Sequence, residues 1–255
     1  MEEFIIDGGI PLDGEITPSG NKNAVLPILA ACLLTSEPVI LHNVPDIRDV
    51  QTMRKLIMSL GVQIDDLGGG NWKIHAKEVR PTDLDPDLCR KIRASILLAG
   101  PMTARSGELL LPPPGGDVIG RRRVDTHLIA LQKLGAKIEY ERSFKFSANG
   151  LVGADILLDE ASVTATENAI MACVLAKGNS VIRNAASEPH VQELCQFLKT
   201  LGAKIIHIGS NTLKIEGVEE LHGGEFTVGP DYLEVVSFIG AAAVTNGKIT
   251  IKNAG

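Results

Sequence analysis

Three copies of one short signature, about 70 residues apart, constrain the fold more than any other feature of the chain: Leu60-Gly61-Val62-Gln63-Ile64, Leu134-Gly135-Ala136-Lys137-Ile138 and Leu201-Gly202-Ala203-Lys204-Ile205. Each follows an amphipathic run and opens an alternating one, so the leucine closes a helix, the glycine caps it and the rest begins a strand. A second, more apolar helix recurs in step: Asn23 to Leu34, apolar nearly all round, then Arg93 to Ala99, Glu167 to Cys173 and Glu234 to Val244. Each leads into a strand, and three of those strands end in Asn43, Asn184 and Asn253. In the first unit a strand at Phe4-Ile5-Ile6 precedes the apolar helix. A strand at Val39 to Leu41, an amphipathic helix from Val50 to Leu60, and strands at Val62 to Ile64 and Trp72 to His75 follow, which makes the order βαβαββ. Self-similar units stack because no one of them buries its apolar face alone. The expected class is therefore α/β (α+β), with three full units and a fourth cut off at Gly255. The fourth helix, with Phe238, Ile239 and Ala241 to Ala243, has nothing after it to cover its apolar surface, so a missing second lobe or a partner chain is implied.

The stretch least explicable by packing runs from Leu111 to His127. Pro112 to Pro114 stiffen the approach, and Gly115-Gly116 permit positive φ and a close approach of the backbone to something else. Asp117 follows at once, then Arg121-Arg122-Arg123, Val124, Asp125, Thr126 and His127, where a helical pattern begins. Guanidinium groups fork onto phosphates and carboxylates, and the N–H groups of a helix start share that preference. A net charge of -6 argues against a nucleic-acid partner or an anionic membrane surface, so the arginines are a local cationic spot suited to a small anion. No apolar run reaches transmembrane length, and MEEFIIDGG lacks the flank and core of a signal peptide, which predicts a cytoplasmic protein. Cys32, Cys89, Cys173 and Cys195 are scattered without metal-ligand spacing and are expected to be reduced, buried thiols; no metal site is expected.

Gly20-Asn21-Lys22-Asn23-Ala24 before an apolar helix, Arg93-Ala94-Ser95, the Gly-Gly-Asp loop with Arg122 and Asp125-Thr126-His127, and Ser162-Val163-Thr164 occur in an order that resembles the UDP-N-acetylglucosamine 1-carboxyvinyltransferases, a family of enolpyruvyl transferases. The resemblance covers the whole chain. It implies an inverse α/β barrel of six βαβαββ units in two lobes, of which this chain resembles one complete lobe, residues 22–229, with residues 1–21 and 230–255 a fragment of the second, incomplete lobe. It further implies transfer of the enolpyruvyl group of phosphoenolpyruvate to the 3'-hydroxyl of UDP-N-acetylglucosamine, the first committed step of peptidoglycan synthesis, with no cofactor. By position, Lys22 and Asn23 resemble the pair that contacts both substrates, and Arg93 an anion ligand at a helix start. Arg122, Arg123, Val124, Asp125 and Thr126 resemble the segment that grips the uridine nucleotide, and Glu160, Ser162 and Val163 a second nucleotide-binding turn. Asp117 occupies the place of the proton donor.

Three departures from that family stand out. Asp117 replaces a common cysteine, Glu160 stands where a basic residue is common, and Arg123 replaces the usual proline. Read alone, a histidine such as His127 on a first helical turn is as often structural as a ligand, and Ser162 is equally a plain helix N-cap. Two other functions remain open on sequence: an enolpyruvyl transferase acting on shikimate 3-phosphate, and a non-catalytic sugar-nucleotide-binding lobe.

Overall fold

The computed structural model describes residues 3–5, 7–81, 84–116 and 123–254. The first strand, β1 (Asp13–Ile16), does not coincide with the expected strand at residues 4 to 6. Phe4 and Ile5 are unpaired and more than nine-tenths exposed, and Ile6 lies outside the described residues. A strand exists only where its backbone groups find a partner, and here the partner goes to Asp13–Ile16, which pairs in parallel with a strand at Lys248–Ile251.

The first unit comprises α1 (Lys22–Ala31), β2 (Val39–His42), α2 (Arg48–Ser59), β3 (Gln63–Gly68) and β4 (Asn71–His75). The second contains α3 (Pro86–Lys91), a 3-10 turn at Arg93–Leu98, α4 (Ala99–Ser106), β5 (Glu108–Leu111), α5 (Asp125–Lys133), β6 (Lys137–Tyr140) and β7 (Phe144–Ser147), its three strands ordered β5-β7-β6. The third is β8 (Asp155–Leu157), α6 (Val163–Cys173), β9 (Asn179–Arg183), α7 (Pro189–Thr200), β10 (Lys204–Ile206) and β11 (Thr212–Glu216), a sheet ordered β10-β11-β9-β8 with β8 and β9 parallel across α6. The chain continues through β12 (Gly224–Thr227), α8 (Tyr232–Thr245) and β13 (Lys248–Ile251). The signature glycines Gly61, Gly135 and Gly202 all take left-handed backbone, with φ of 94°, 99° and 102°, as the capping role requires. α1 and α6 are buried along nearly their whole length, whereas strands such as β4 alternate between buried and exposed, so the apolar helices form the interior and the sheets the outer layer.

The helix expected at Arg93 to Ala99 is a 3-10 turn instead. Pro101 has no N–H to return to Leu97. At Gly100 the Asn168 side chain intervenes: Gly100 N–H donates to Asn168 Oδ1 (2.7 Å) and Asn168 Nδ2 donates to the Ile96 carbonyl (2.8 Å). The amide thus satisfies both ends of a broken helical bond.

Strand exchange joins the two ends of the chain. In the third unit β8 pairs with the strand that follows its own helix. The first unit takes its parallel neighbour from far along the chain, β12 beside β2 with Gly224 opposite Val39, while β1 pairs with β13. Each crossing is built alike. Asn43 and Asn184 sit at φ 59° and 57°, and their Nδ2 groups donate to the Val228 carbonyl (2.8 Å) and the Leu158 carbonyl (3.0 Å). Asn253 shares the conformation, at φ 53°. These are the three asparagines singled out in the sequence, and left-handed backbone is the reason for the residue type. Where residues 17–21 pass residues 228–231, Asn21 N–H donates to Gly229 O (2.9 Å), Asp231 N–H to Ser19 O (2.8 Å), and Gly229 N–H to Glu193 Oε1 (2.6 Å). Gly20 is required here, since a Cβ would lie 1.9 Å from the Asn43 carbonyl oxygen.

α8 is the apolar helix expected to lack a cover. None of its residues is buried, and Val236, Ile239 and Val244 are 64%, 56% and 85% exposed. No helix among the described residues is long and apolar enough to cross a membrane.

Candidate functional site

The starts of three helices meet at one cavity of about 400 Å³. Lys22 and Asn23 open α1, Val163 and Thr164 open α6, and His190 is the second residue of α7; Lys91, Arg93, Gly116, Asp49 and Glu167 complete the polar wall. Helix starts carry unsatisfied N–H groups and the positive end of the helix dipole, so the cavity favours an anion even before its lysines and Arg93 are counted. Two of the starts are capped by a side chain, whereas α7 opens on Pro189 without one. Asn21, 1% exposed, accepts the N–H groups of Asn23 (2.8 Å) and Ala24 (3.3 Å), and Ser162 caps α6 through a longer contact to Ala165 N (3.5 Å). Lys22 Nζ lies 3.1 Å from Asp49 Oδ2 on α2, so an incoming anion competes with a half-exposed carboxylate for it.

The expected residues fall into two groups. Lys22, Asn23, Arg93 and Val163 line the cavity. Beside it, Arg123, Asp125, Thr126 and Glu160 form a charged cluster: Arg123 Nε bonds Asp125 Oδ2 (2.7 Å), its Nη2 bonds Asp159 Oδ2 (3.1 Å), and Thr126 Oγ1 donates to Asp159 Oδ1 (2.5 Å). The hydrogen bond from Thr126, desolvation acting against it, and the Arg123 charge leave the Asp159 carboxyl below the ordinary range. Arg123 is thus already engaged by carboxylates, with Glu160 adding to the field that holds its charge. Arg93 Nη2 donates to the Arg123 carbonyl (2.7 Å) and so ties the cluster to the cavity wall. Val124, half-buried, precedes α5. Asp117 and Arg122 lie outside the described residues, and Gly116, the residue before Asp117, lines the cavity. The close approach expected of the paired glycines is to the chain itself: Gly115 N–H donates to Cys89 O (3.0 Å) and Gly116 N–H, at φ 91°, to Arg90 O (3.1 Å).

His127 is structural. It is 2% exposed, Asn168 Nδ2 donates to its Nδ1 (2.8 Å), and the proton is therefore on Nε2, which donates to Thr164 Oγ1 (3.2 Å). Burial, with the Arg93 charge second, lowers its pKa to about 3. The folded value lies below the unfolded one, so the unfolded chain binds the extra proton. The stabilisation is complete above about pH 6.5 and is lost as pH falls through about 3, on the order of 5 kcal/mol in all. The difference in urea midpoint between the unmodified chain and His127→Gln is expected to shrink between pH 7 and pH 4; a difference independent of pH would show that His127 titrates normally. The four cysteines are free and buried, and burial raises Cys89 to about 11 and Cys173 and Cys195 to about 12, so they are poor nucleophiles at neutral pH.

Sequence reasoning missed Asp49, Lys91, Glu167 and His190 as cavity residues. The signal for Glu167 was present, as an acid in an otherwise apolar helix; Asp49 and Lys91 looked like ordinary surface charge.

The family model described as EPSP synthase (3-phosphoshikimate 1-carboxyvinyltransferase) matches residues 6–255. A UDP-N-acetylglucosamine 1-carboxyvinyltransferase of Treponema denticola is 56% identical over 251 residues, 98% of this chain and 59% of that protein. The one of Bradyrhizobium diazoefficiens is 56% identical over 253 residues, 99% of this chain and 59% of its own length. Among solved structures, the enolpyruvyl transferase NikO from Streptomyces tendae superposes with a TM-score of 0.79 at 24% identity, covering 91% of this chain and 55% of that one. An EPSP synthase from Acinetobacter baumannii gives 0.75 at 18%, covering 92% and 54%. At those identities the two structures speak for the fold. The chain spans about three-fifths of the length of the curated relatives it matches.

Proposed function

Because the chain belongs to the EPSP synthase family of enolpyruvyl transferases, we propose that it supplies one lobe of an enzyme that moves the enolpyruvyl group of phosphoenolpyruvate to the 3'-hydroxyl of UDP-N-acetylglucosamine and releases phosphate. The observation that carries this reading is the convergence of Lys22, Asn23 and Arg93 with Gly116, the base of the Asp117 loop, on a single cavity at three helix starts. The nucleotide sugar is favoured over shikimate 3-phosphate because relatives named for it are 50–56% identical, whereas the EPSP synthase structure is 18% identical. Peptidoglycan synthesis and a cytoplasmic place follow from that substrate, and four free, buried thiols fit a reducing compartment.

In the reaction the sugar hydroxyl, giving its proton to a carboxylate expected from the second lobe, adds to C2 of phosphoenolpyruvate while C3 takes a proton. Loss of phosphate from C2 and of a proton from C3 then gives the enolpyruvyl ether. Lys22, Arg93 and Arg122 clamp the anion and stabilise charge that shifts in the transition state. Asp117 donates the proton to C3. An ordinary aspartate near pKa 3.9 is ionised at neutral pH, so desolvation beside a bound dianion has to raise it. Glu160, Ser162 and Val163, with Arg123 to Thr126, are assigned to the nucleotide. The second lobe, or a partner chain, covers the apolar face of α8 and completes the cavity.

Phosphate release from phosphoenolpyruvate, followed with the chain joined to the remaining repeats of its relatives, is expected only when UDP-N-acetylglucosamine is present. Equal release with shikimate 3-phosphate would assign the cavity to the other substrate.

A further inference from the structure

Glu167 stands in the second turn of α6, on the wall that Lys22, Arg93 and Gly116 share. It is 1% exposed, and its Oε1 has no hydrogen-bond partner. A buried carboxyl oxygen without a partner is costly and calls for an explanation. Its polar neighbours on the helix are engaged elsewhere: Thr166 Oγ1 donates to Ser162 O and accepts from Ala186 N, and Asn168 serves Gly100, Ile96 and His127. No salt bridge reaches Glu167 among the described residues.

We propose that Glu167 is a ligand-contacting, specificity-determining residue of this cavity, presenting the O–H of its carboxylic acid to an oxygen of the bound substrate. This rests on the reading of the cavity as the substrate site. Burial, and then the Glu188 carboxylate, raise the acid well above the ordinary carboxylate range. The ionisable groups around it are Glu188, His190 and Cys195 on or beside α7, Lys22 on α1, Asp49 on α2, Lys91 at the end of α3, Arg93 after it, and His127 on α5. His190 is itself 6% exposed, with Nδ1 3.0 Å from the Tyr232 hydroxyl and a pKa lowered by burial. A carboxylate here would repel the anion that Lys22 and Arg93 attract. A neutral acid donates to a hydroxyl, carbonyl or phosphate oxygen and leaves that attraction intact.

Infrared difference spectra of the unmodified protein against Glu167→Gln, at neutral pH, are expected to show the C=O band of a neutral carboxylic acid, and the band is expected to shift when UDP-N-acetylglucosamine is added. The Kd for that compound is expected to rise with pH as the acid ionises, a limb that Glu167→Gln removes and that titration of His190 would leave in place. Glu167→Met, which keeps the volume and removes the unpaired polar atoms, is expected to melt no lower than the unmodified protein and to bind about tenfold more weakly. An ionised carboxylate at neutral pH, a band unmoved by bound nucleotide sugar, or undiminished binding by Glu167→Met overturns the proposal. These measurements use the chain joined to the remaining repeats of its relatives; if the nucleotide sugar fails to bind that protein, this proposal falls together with the functional reading, and binding with an unmoved band removes this proposal alone.

Discussion

Replacing Asp117 by asparagine is expected to slow phosphate release from phosphoenolpyruvate by about a hundredfold or more, the usual worth of a general acid. The amide keeps the size of the side chain and offers no transferable proton. Asp117→Cys is expected to retain much of the turnover, because a thiol with a pKa near 8.5 is mostly protonated at neutral pH. The pH profiles separate the two: turnover of the aspartate enzyme falls at lower pH than that of the cysteine variant, since the donor must hold its proton and the carboxyl loses it first. Gly116 on the cavity wall, one residue before, is the structural support for this role. An asparagine variant within a few-fold of the unmodified enzyme would remove Asp117 from the chemistry.

Gly115→Ala is expected to cost roughly a hundredfold in kcat/KM, because a misplacement of about 1 Å at a reacting group has that effect. A Cβ at Gly115 would lie 1.8 Å from the Arg90 carbonyl oxygen and 2.4 Å from its carbon, and both atoms are backbone that cannot swing aside. The segment must lift off residues 89–93, losing the bonds from Gly115 to Cys89 and from Gly116 to Arg90, and the Asp117 loop moves with it. Gly116→Ala supplies an internal comparison. Its Cβ would meet both Arg93 Cβ and the Arg93 backbone nitrogen at 3.1 Å, a tight contact but not the overlap at Gly115, and the variant adds to it the strain of left-handed backbone, about 1 to 2 kcal/mol. Steady-state kinetics with thermal melts decide the matter; unimpaired turnover by Gly115→Ala would show that the loop is positioned from elsewhere.

Helix caps and asparagine turns were legible in the sequence because they are local: a Leu-Gly pair closing an apolar period needs left-handed backbone, and an asparagine ending a strand tolerates it. Lys22, Asn23 and Arg93 were reached only through the family resemblance, since read alone a lysine before an apolar helix is also a solvated cap and Arg93 one of several surface arginines. The strand at residues 4 to 6 misled because apolar composition marks what wants burial and says nothing about which backbone is free to pair. The exchange of β1 and β12 has no local signature at all, since in the third unit the same helix type returns the chain to the same sheet. The 3-10 turn at Arg93–Leu98 was hidden for a related reason. Pro101 was visible beside it, but the other cause is Asn168, 72 residues from Ile96, and no window along the chain contains both.

That exchange also sets an order of events as the protein is made. β2 leaves the ribosome without its parallel neighbour, which lies 185 residues later, and β1 waits still longer for β13. At about 5–20 residues per second, the open edge of β2 persists for roughly 10 to 40 s of translation. Exposed strand edges recruit other strands, and long-range pairing is slow because loop closure precedes its reward. Of the three units the first is therefore the last to be completed, and its unpaired edge is a part of the nascent chain that needs a chaperone.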